Sequence, residues 1–588
     1  MIRSDTLSST RRLWAPSRGP YNTKMVWLNA LVIFALAVAC AVPLAAYMEG
    51  VFNGSPTPLT PLLSPCENAV YRLCGVDPNE EMPWNRYALA ALATTFCGTG
   101  LLYAVLRTQY WLPLNPQHFA NFSPELAFNT ALSFSTTTDW QFYSGENAAS
   151  YLSQMTGLAW QNFAAGAIGI AAGVAVIRGF ARERSGTLGN FWVDFVRALF
   201  YVLVPLSVAS GLLLVATGVP QNFDPYLTVS NVEGFIQAIT GGPMASQEAI
   251  SLVGGNGGGF VGANTSSPNL NPNGLSNLIE MVAIWVVPAA FPLLFGRMVR
   301  NRAAGYALIA AMIAVAAIGA GAAQTAEHAG NPHVHALGIA GGNMEGKEVR
   351  FGVPGSGLSL SVASNSGTGA SNFAYDSLTP VGGLVALVNM QLGEVVFGGD
   401  GSGLYGMLTF AVLTVFIAGL LVGRTPEYLG KKIEGREVQY AMIAALVFPS
   451  IILIAVAIAI VLPAGLATLS NGGPHGFTEV LYAFTSVAAN NGSAFGGLGP
   501  NTFYQVATAL VMMGGRFLVM IPTLALAGSL GERPINRLGA GTFRTDNATF
   551  VVLLIAVVVL FGALTFLPAD SLGPIAEHVL LWQRPPAP

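Results

Sequence analysis

Between two strongly apolar stretches the chain carries Val253-Gly254-Gly255-Asn256-Gly257-Gly258-Gly259-Phe260, followed by the polar run Ala263-Asn264-Thr265-Ser266-Ser267. Glycine at that density accepts positive φ and lets backbone approach backbone closely. Non-helical chain at membrane depth survives only where protein buries it or a wet cavity meets it. Such a segment presents a row of carbonyl oxygens, the groups that replace the hydration shell of a cation.

Segments of this type recur at intervals of about 120 residues, the signature of an internal repeat. Upstream stands Ser135-Thr136-Thr137-Thr138-Asp139-Trp140-Gln141; downstream stand Asn365-Ser366-Gly367-Thr368-Gly369 and Ala489-Asn490-Asn491-Gly492-Ser493. Their even spacing separates them from the small-residue patches that merely let membrane helices pack. Each unit reads as apolar span, half-helix, polar loop, second apolar span. The expected fold is an all-α polytopic membrane protein, with four membrane-pore-membrane repeats around one channel-like pore. On this reading the candidate cation-binding residues are Thr136, Thr137, Thr138 and Asp139; Gly255, Asn256, Gly257 and Gly258; Ser366, Gly367, Thr368 and Gly369; and Asn490, Asn491, Gly492 and Ser493. Gln141 stands at the pore edge.

Charged residues make up 9% of the chain and hydrophobic residues 53%, against about 25% charged in soluble domains. A net charge of -3 says nothing about partners, and no charge pattern points to nucleic acid. Spans of about 20 residues, matched to a bilayer core, fall near 26–48, 87–106, 156–177, 191–217, 276–296, 303–323, 402–422, 440–464, 503–528 and 550–568. Val26 to Met48 is longer than a signal-peptide core and reads as an uncleaved helix. Arg178, Arg182 and Arg184, then Arg297, Arg300 and Arg302, then Arg424, Lys431, Lys432 and Arg436, then Arg533, Arg537 and Arg544 fall in alternate connections, which the positive-inside rule puts in the cytoplasm. The glycine-rich loops then open outward and both termini lie outside. The chain divides into a polar extension (1–24), an extra first span with a cytoplasmic loop (25–86), repeats at 87–178, 179–298, 299–424 and 425–532, and a last span (533–588).

Two features interrupt the pattern. The run Gly393-Glu394-Val395-Val396-Phe397-Gly398-Gly399-Asp400-Gly401-Ser402-Gly403 breaks a helix, and a broken helix beside a pore is a candidate gate, with an ordinary external turn as the bland reading. Arg516 lies mid-span, where a charge is costly and tends to be functional. It acts either as an electrostatic barrier below the loops or as the partner of Glu394. The gate candidates are thus Glu394, Gly398, Gly399 and Arg516. Asp194, Arg197 and Glu280 sit nearer span ends and read as structural.

Other motifs carry less. Gly341-Gly342-Asn343-Met344-Glu345-Gly346-Lys347-Glu348 has phosphate-loop spacing but Glu348 where a hydroxyl must bind magnesium. No Asp-Lys-Thr-Gly phosphorylation motif is present, and no catalytic cluster supports a membrane enzyme. His333 and His335 read as surface residues. Cys40, Cys66, Cys74 and Cys97 have no metal-ligand spacing and read as free thiols.

Several blocks together resemble the A subunits of Kdp potassium-transporting ATPases: Leu112-Pro113-Leu114-Asn115-Pro116-Gln117, Tyr143-Ser144-Gly145-Glu146, Ser246-Gln247-Glu248-Ala249, Gly254 to Phe260, Asn343 to Glu348, Gly423 to Lys432, and Gly492-Ser493-Ala494-Phe495. The resemblance runs from about residue 26 to 575. It implies a potassium-selecting subunit in a bacterial inner membrane, with K+ as transported ion and no organic cofactor. It also implies a P-type ATPase B subunit that hydrolyses ATP, a small single-span C subunit and, in some members, a short F peptide. Asp139 stands where members often carry Asn, and the third loop is not of the Ser-Cys-Gly type. The residues alone leave open a self-sufficient potassium channel or secondary transporter of the same superfamily; the family blocks favour the pump subunit.

Overall fold

The computed structural model describes residues 23–536 and 543–583. Most of the polar extension and Arg537 therefore lie outside the described residues. Among the described residues ten helices are long and apolar enough to cross a membrane. The helices that matter below, the ten spans and five shorter ones, are α1 (Thr23–Phe52), α2 (Trp84–Thr108), α3 (Pro124–Ser135), α4 (Ser153–Ala181), α5 (Phe191–Thr217), α6 (Met244–Val253), α7 (Gly274–Met298), α8 (Arg302–Ala329), α9 (Gly352–Asn365), α10 (Pro380–Gln391), α11 (Ser402–Leu421), α12 (Gly435–Val461), α13 (Gly473–Ala488), α14 (Thr502–Glu532) and α15 (Ala548–Asp570).

Long helix, short helix, polar loop and long helix follow one another four times in this order, with α3, α6, α9 and α13 as the short members. Polar N-caps set several helix starts. Ser123 accepts from Leu126 N ahead of Pro124, Asn501 from Tyr504 N, and Asn273 from Leu275 N and Ser276 N in a capping box. These bonds satisfy amides that have no intrahelical partner. Three two-stranded sheets are the only strands among the described residues; one, Leu227–Ser230 against Ile236–Ile239, is an exposed hairpin between α5 and α6.

The seventh span, α11, falls on the expected 402–422, and the expected glycine break precedes it. Thr379 caps α10, which ends at Gln391, and α11 starts only at Ser402. Between them the chain turns with positive φ at Gly393 (85°), Glu394 (54°), Phe397 (48°) and Gly401 (90°). α10, with 12 residues, is too short to cross on its own. The break is seated on α4, whose Gly166, Gly169 and Gly173 share one face at helical spacing. A Cβ on Gly173 would lie 2.9 Å from Gly401 Cα, and one on Gly169 would overlap the Asp400 carbonyl. Small residues here let irregular chain and helix touch.

The basic connections are mostly ion-paired. Arg178 holds Asp194 through Nη1–Oδ2 (2.5 Å) and Nη2–Oδ1 (2.8 Å), and Tyr87 donates to the same carboxylate. Arg197 meets Glu67 at 2.8 Å and Arg297 meets Glu49 at 2.6 Å. Asp194 and Arg197 are thus structural, as expected, whereas Glu280 Oε1 is buried without a donor. The phosphate-loop lookalike is a plug. Lys347 Nζ lies 2.7 Å from Glu327 with both side chains fully buried, and Glu327 also accepts from Asn343 and Thr379. His335 Nε2 lies 2.8 Å from the Gly341 carbonyl. All four cysteines are free and exposed.

Candidate ion-binding site

Each short helix delivers its polar loop to one place. Loop 1 holds Thr136 to Asp139, loop 2 Gly255 to Gly258, loop 3 Ser366 to Gly369 and loop 4 Asn490 to Ser493; all sixteen are buried except the partly exposed Gly492. Hydrogen bonds join the four segments in a closed circuit. Gln141 Nε2 donates to Gly259 O at 3.3 Å and Gly259 N donates back to Gln141 Oε1, tying the first segment to the second. Beyond loop 2, Ser266 Oγ donates to Ser371 O just after loop 3. Asn491 Nδ2 donates to Ser366 O (2.7 Å) and Ala363 O (2.8 Å), joining loop 4 to loop 3. Asn490 Nδ2 donates to Thr138 Oγ1 at 2.9 Å and closes the circuit.

Glycine is required where the loops meet. A Cβ on Gly492, whose φ is +86°, would overlap Thr138 O; one on Gly257 would overlap Asn491 O and lie 2.5 Å from Thr138 O. A Cβ on Gly369 would overlap Ser493 N. Carbonyls of loops 1 and 4 therefore crowd the glycines of loops 2 and 3, an arrangement of acceptors suited to a cation. Side chains fix the loops from behind. Ser251 Oγ donates to Gly258 O (2.7 Å), Asn264 Nδ2 to Gly257 O (3.0 Å), and Tyr482 OH pairs with Ser493 Oγ (2.7 Å).

The gate candidates lie against this ring. A Cβ on Gly367 would be 2.9 Å from Gly399 Cα and 3.4 Å from Glu394 Oε1, so the break between α10 and α11 abuts loop 3. A Cβ on Gly398 would overlap Glu394 O, which fixes that turn. Arg516 donates from Nη1 to Thr137 Oγ1 (3.3 Å) and from Nη2 to Ala165 O (3.1 Å). Of the two readings of Arg516, the ion pair with Glu394 does not form among the described residues; the guanidinium donates to loop 1 and α4 instead. Both residues instead line a cavity of about 60 Å³ with Tyr405, Asn490 and Gly515.

Sequence reading missed Asp400. It is 3% exposed, neither carboxylate oxygen meets a donor, and its Oδ1 lies 3.6 Å from where a Gly255 Cβ would sit, beside loop 2. Its signal was an acid inside the glycine break. Asp139 is likewise buried, beside the Gly258 amide and the Asn162 side chain. Asp139, Glu394 and Asp400 thus place three buried carboxyl groups around the loops in the same zone as the Arg516 guanidinium.

On the same side as the loops, His475 lies between Glu577 (2.8 Å) and Asp376 (3.0 Å). The Glu577 bond, partly opposed by burial, pushes its pKa up to about 9. At the other end of the helices, Lys431 Nζ donates to Gly179 O (2.8 Å), Leu530 O (2.7 Å) and Arg182 O, tying the ends of α4 and α14 together.

A family model described as the potassium-transporting ATPase A subunit matches residues 31–579. Proteins named potassium-transporting ATPase potassium-binding subunit are 51% identical over 94% of this chain and 98% of the protein from Mesorhizobium japonicum. The one from Solibacter usitatus is 51% identical over 95% of this chain and 98% of its own. The solved potassium transporter TrkH from Vibrio parahaemolyticus is a more distant match, at 16% identity and a TM-score of 0.49 over 84% of this chain and 97% of that one. With most of its length matched by the family model and about half its residues shared with those relatives, this chain belongs to the potassium-transporting ATPase A subunit family.

Proposed function

We propose that this chain is the potassium-selecting, ion-translocating subunit of an ATP-driven uptake complex. It binds extracellular K+ at the four loops and delivers it to a P-type ATPase B subunit, which hydrolyses the ATP. A small single-span C subunit, joined in some members by a short F peptide, completes the complex. The membrane is the bacterial inner membrane, the loops open outward, both termini lie outside, and the repeats run 87–178, 179–298, 299–424 and 425–532. The observation that carries this reading is the closed hydrogen-bond circuit, which brings carbonyl oxygens from loops some 350 residues apart to the same glycines. Below the ring, Arg516 and the break after α10 are the barrier and the gate.

The test is rubidium uptake by cells lacking their own potassium transport, with and without the partner subunits. Uptake is expected only with the partners present. Robust uptake by this chain alone would overturn the pump-subunit reading in favour of a self-sufficient channel.

A further inference from the structure

Behind loop 2 two acceptors border one gap with no donor between them. Glu248, on α6, is 1% exposed, and neither of its carboxyl oxygens meets a donor. Asn264 follows loop 2; its Nδ2 donates to Gly257 O at 3.0 Å, while its Oδ1 is buried and unpartnered. The point a Cβ on Gly259 would occupy lies 3.2 Å from Glu248 Oε2 and 3.3 Å from Asn264 Oδ1, with Leu270 Cδ1 at 3.8 Å on the remaining side. Turning the Asn264 amide over would set its oxygen against the Gly257 carbonyl, so the oxygen stays in the gap.

We propose that Glu248 carries a proton and donates it to Asn264 Oδ1, and that through Asn264 it positions the Gly257 carbonyl of the cation-binding ring. A carboxylate in this setting would be a buried charge with no donor, whereas the neutral acid supplies the O–H that Asn264 lacks. The relay is carboxylic acid to amide to filter carbonyl. Its requirement for open space explains the glycine at 259, since any side chain there would wedge the two groups apart. Glu248 is a positioning residue, not an ion ligand, and the inference rests on the filter reading above.

The experiment compares Glu248→Gln, Glu248→Ala and, as a control on the filter itself, Gly492→Ala, each in the complete complex with its ATPase partner. Glutamine retains a donor without charge, so Glu248→Gln should keep near-wild-type potassium affinity and potassium-over-sodium preference. Glu248→Ala should raise the apparent KM for potassium about tenfold, the scale of one buried acceptor left alone, and blunt the preference. Equal damage from both Glu248 variants, or none from alanine, would overturn the relay. If Gly492→Ala perturbs selectivity while Glu248→Ala does not, only this inference falls; if neither does, the filter reading falls too. The infrared difference between wild type and Glu248→Gln should show loss of the carbonyl stretch of a protonated acid. Loss of carboxylate bands instead would refute the proton.

Discussion

Arg516→Met is the substitution that best separates a barrier from a brace. Methionine keeps apolar bulk in a site that is 5% exposed and removes the charge. Since Nη1 lies 3.3 Å from Thr137 Oγ1, a cation held by that loop sits roughly 6 Å from the guanidinium. At an effective dielectric constant near 20 the repulsion is about 3 kcal/mol, which is on the order of a hundredfold in rate. Two hydrogen bonds are lost as well, and leaving Ala165 O and Thr137 Oγ1 with fewer partners costs about 1–2 kcal/mol of stability. The complex carrying Arg516→Met, in liposomes without ATP, should therefore pass potassium down its gradient on the order of a hundred times faster than wild type, with weakened coupling when ATP is supplied. A thermal-stability measurement runs beside the flux. Tight liposomes together with a markedly destabilised protein would refute the barrier and leave Arg516 a brace.

Other substitutions probe other parts. Gly257→Ala should lower potassium affinity and selectivity while the protein still inserts, because the new Cβ displaces the Asn491 or Thr138 carbonyl; unchanged affinity and preference in uptake assays would count against the site. His475, folded pKa about 9 against an ordinary 6.5, should contribute stability fully below pH 6.5 and lose it as pH rises through about 9; the raised value corresponds to roughly 2–3 kcal/mol. Melting curves from pH 6 to 10 should show this fall in wild type and not in His475→Gln. Lys347→Met should strand Glu327 in the core and lower Tm by several degrees, and the double variant with Glu327→Gln should recover part of it. The chain purified without partners should hydrolyse no ATP, and potassium-stimulated hydrolysis from it alone would overturn that expectation.

The spans were legible because an apolar run of bilayer length has few alternatives, and the loops because glycine between such runs advertises exposed carbonyls. What the residues could not disclose was contact. Nothing in Gly367 announces that Gly399 lies against it, and nothing in Gln141 that it reaches Gly259. The seventh span and the glycine break ahead of it were both read; the short helix α10 before the break was not, because 12 apolar residues are too few to register as a span. Arg516 was singled out as a mid-span charge, but the choice between a barrier and a pair with Glu394 stayed open, because pairing depends on where a ten-residue turn deposits its carboxylate. Asp400 passed unnoticed for the same reason. Lys347 and Lys431 sat in blocks read for family likeness, and their work as interior ties appears only when the carbonyls they collect are seen together.

The circuit of loops has a bearing on how the protein is made. Its closing bond spans 352 residues, from Asn490 back to Thr138, and the Lys431 tie waits on Leu530, which is synthesised 99 residues later. While the ribosome works from Thr138 to Asn490, the first loop waits without the segment that completes it. A nascent chain stalled before Asn490 is consequently not a weaker transporter but an unfinished frame, its polar loops unsatisfied in a medium that offers no water. Quality control in the membrane has a sharp feature to act on: the interval between insertion of the first loop and arrival of the last.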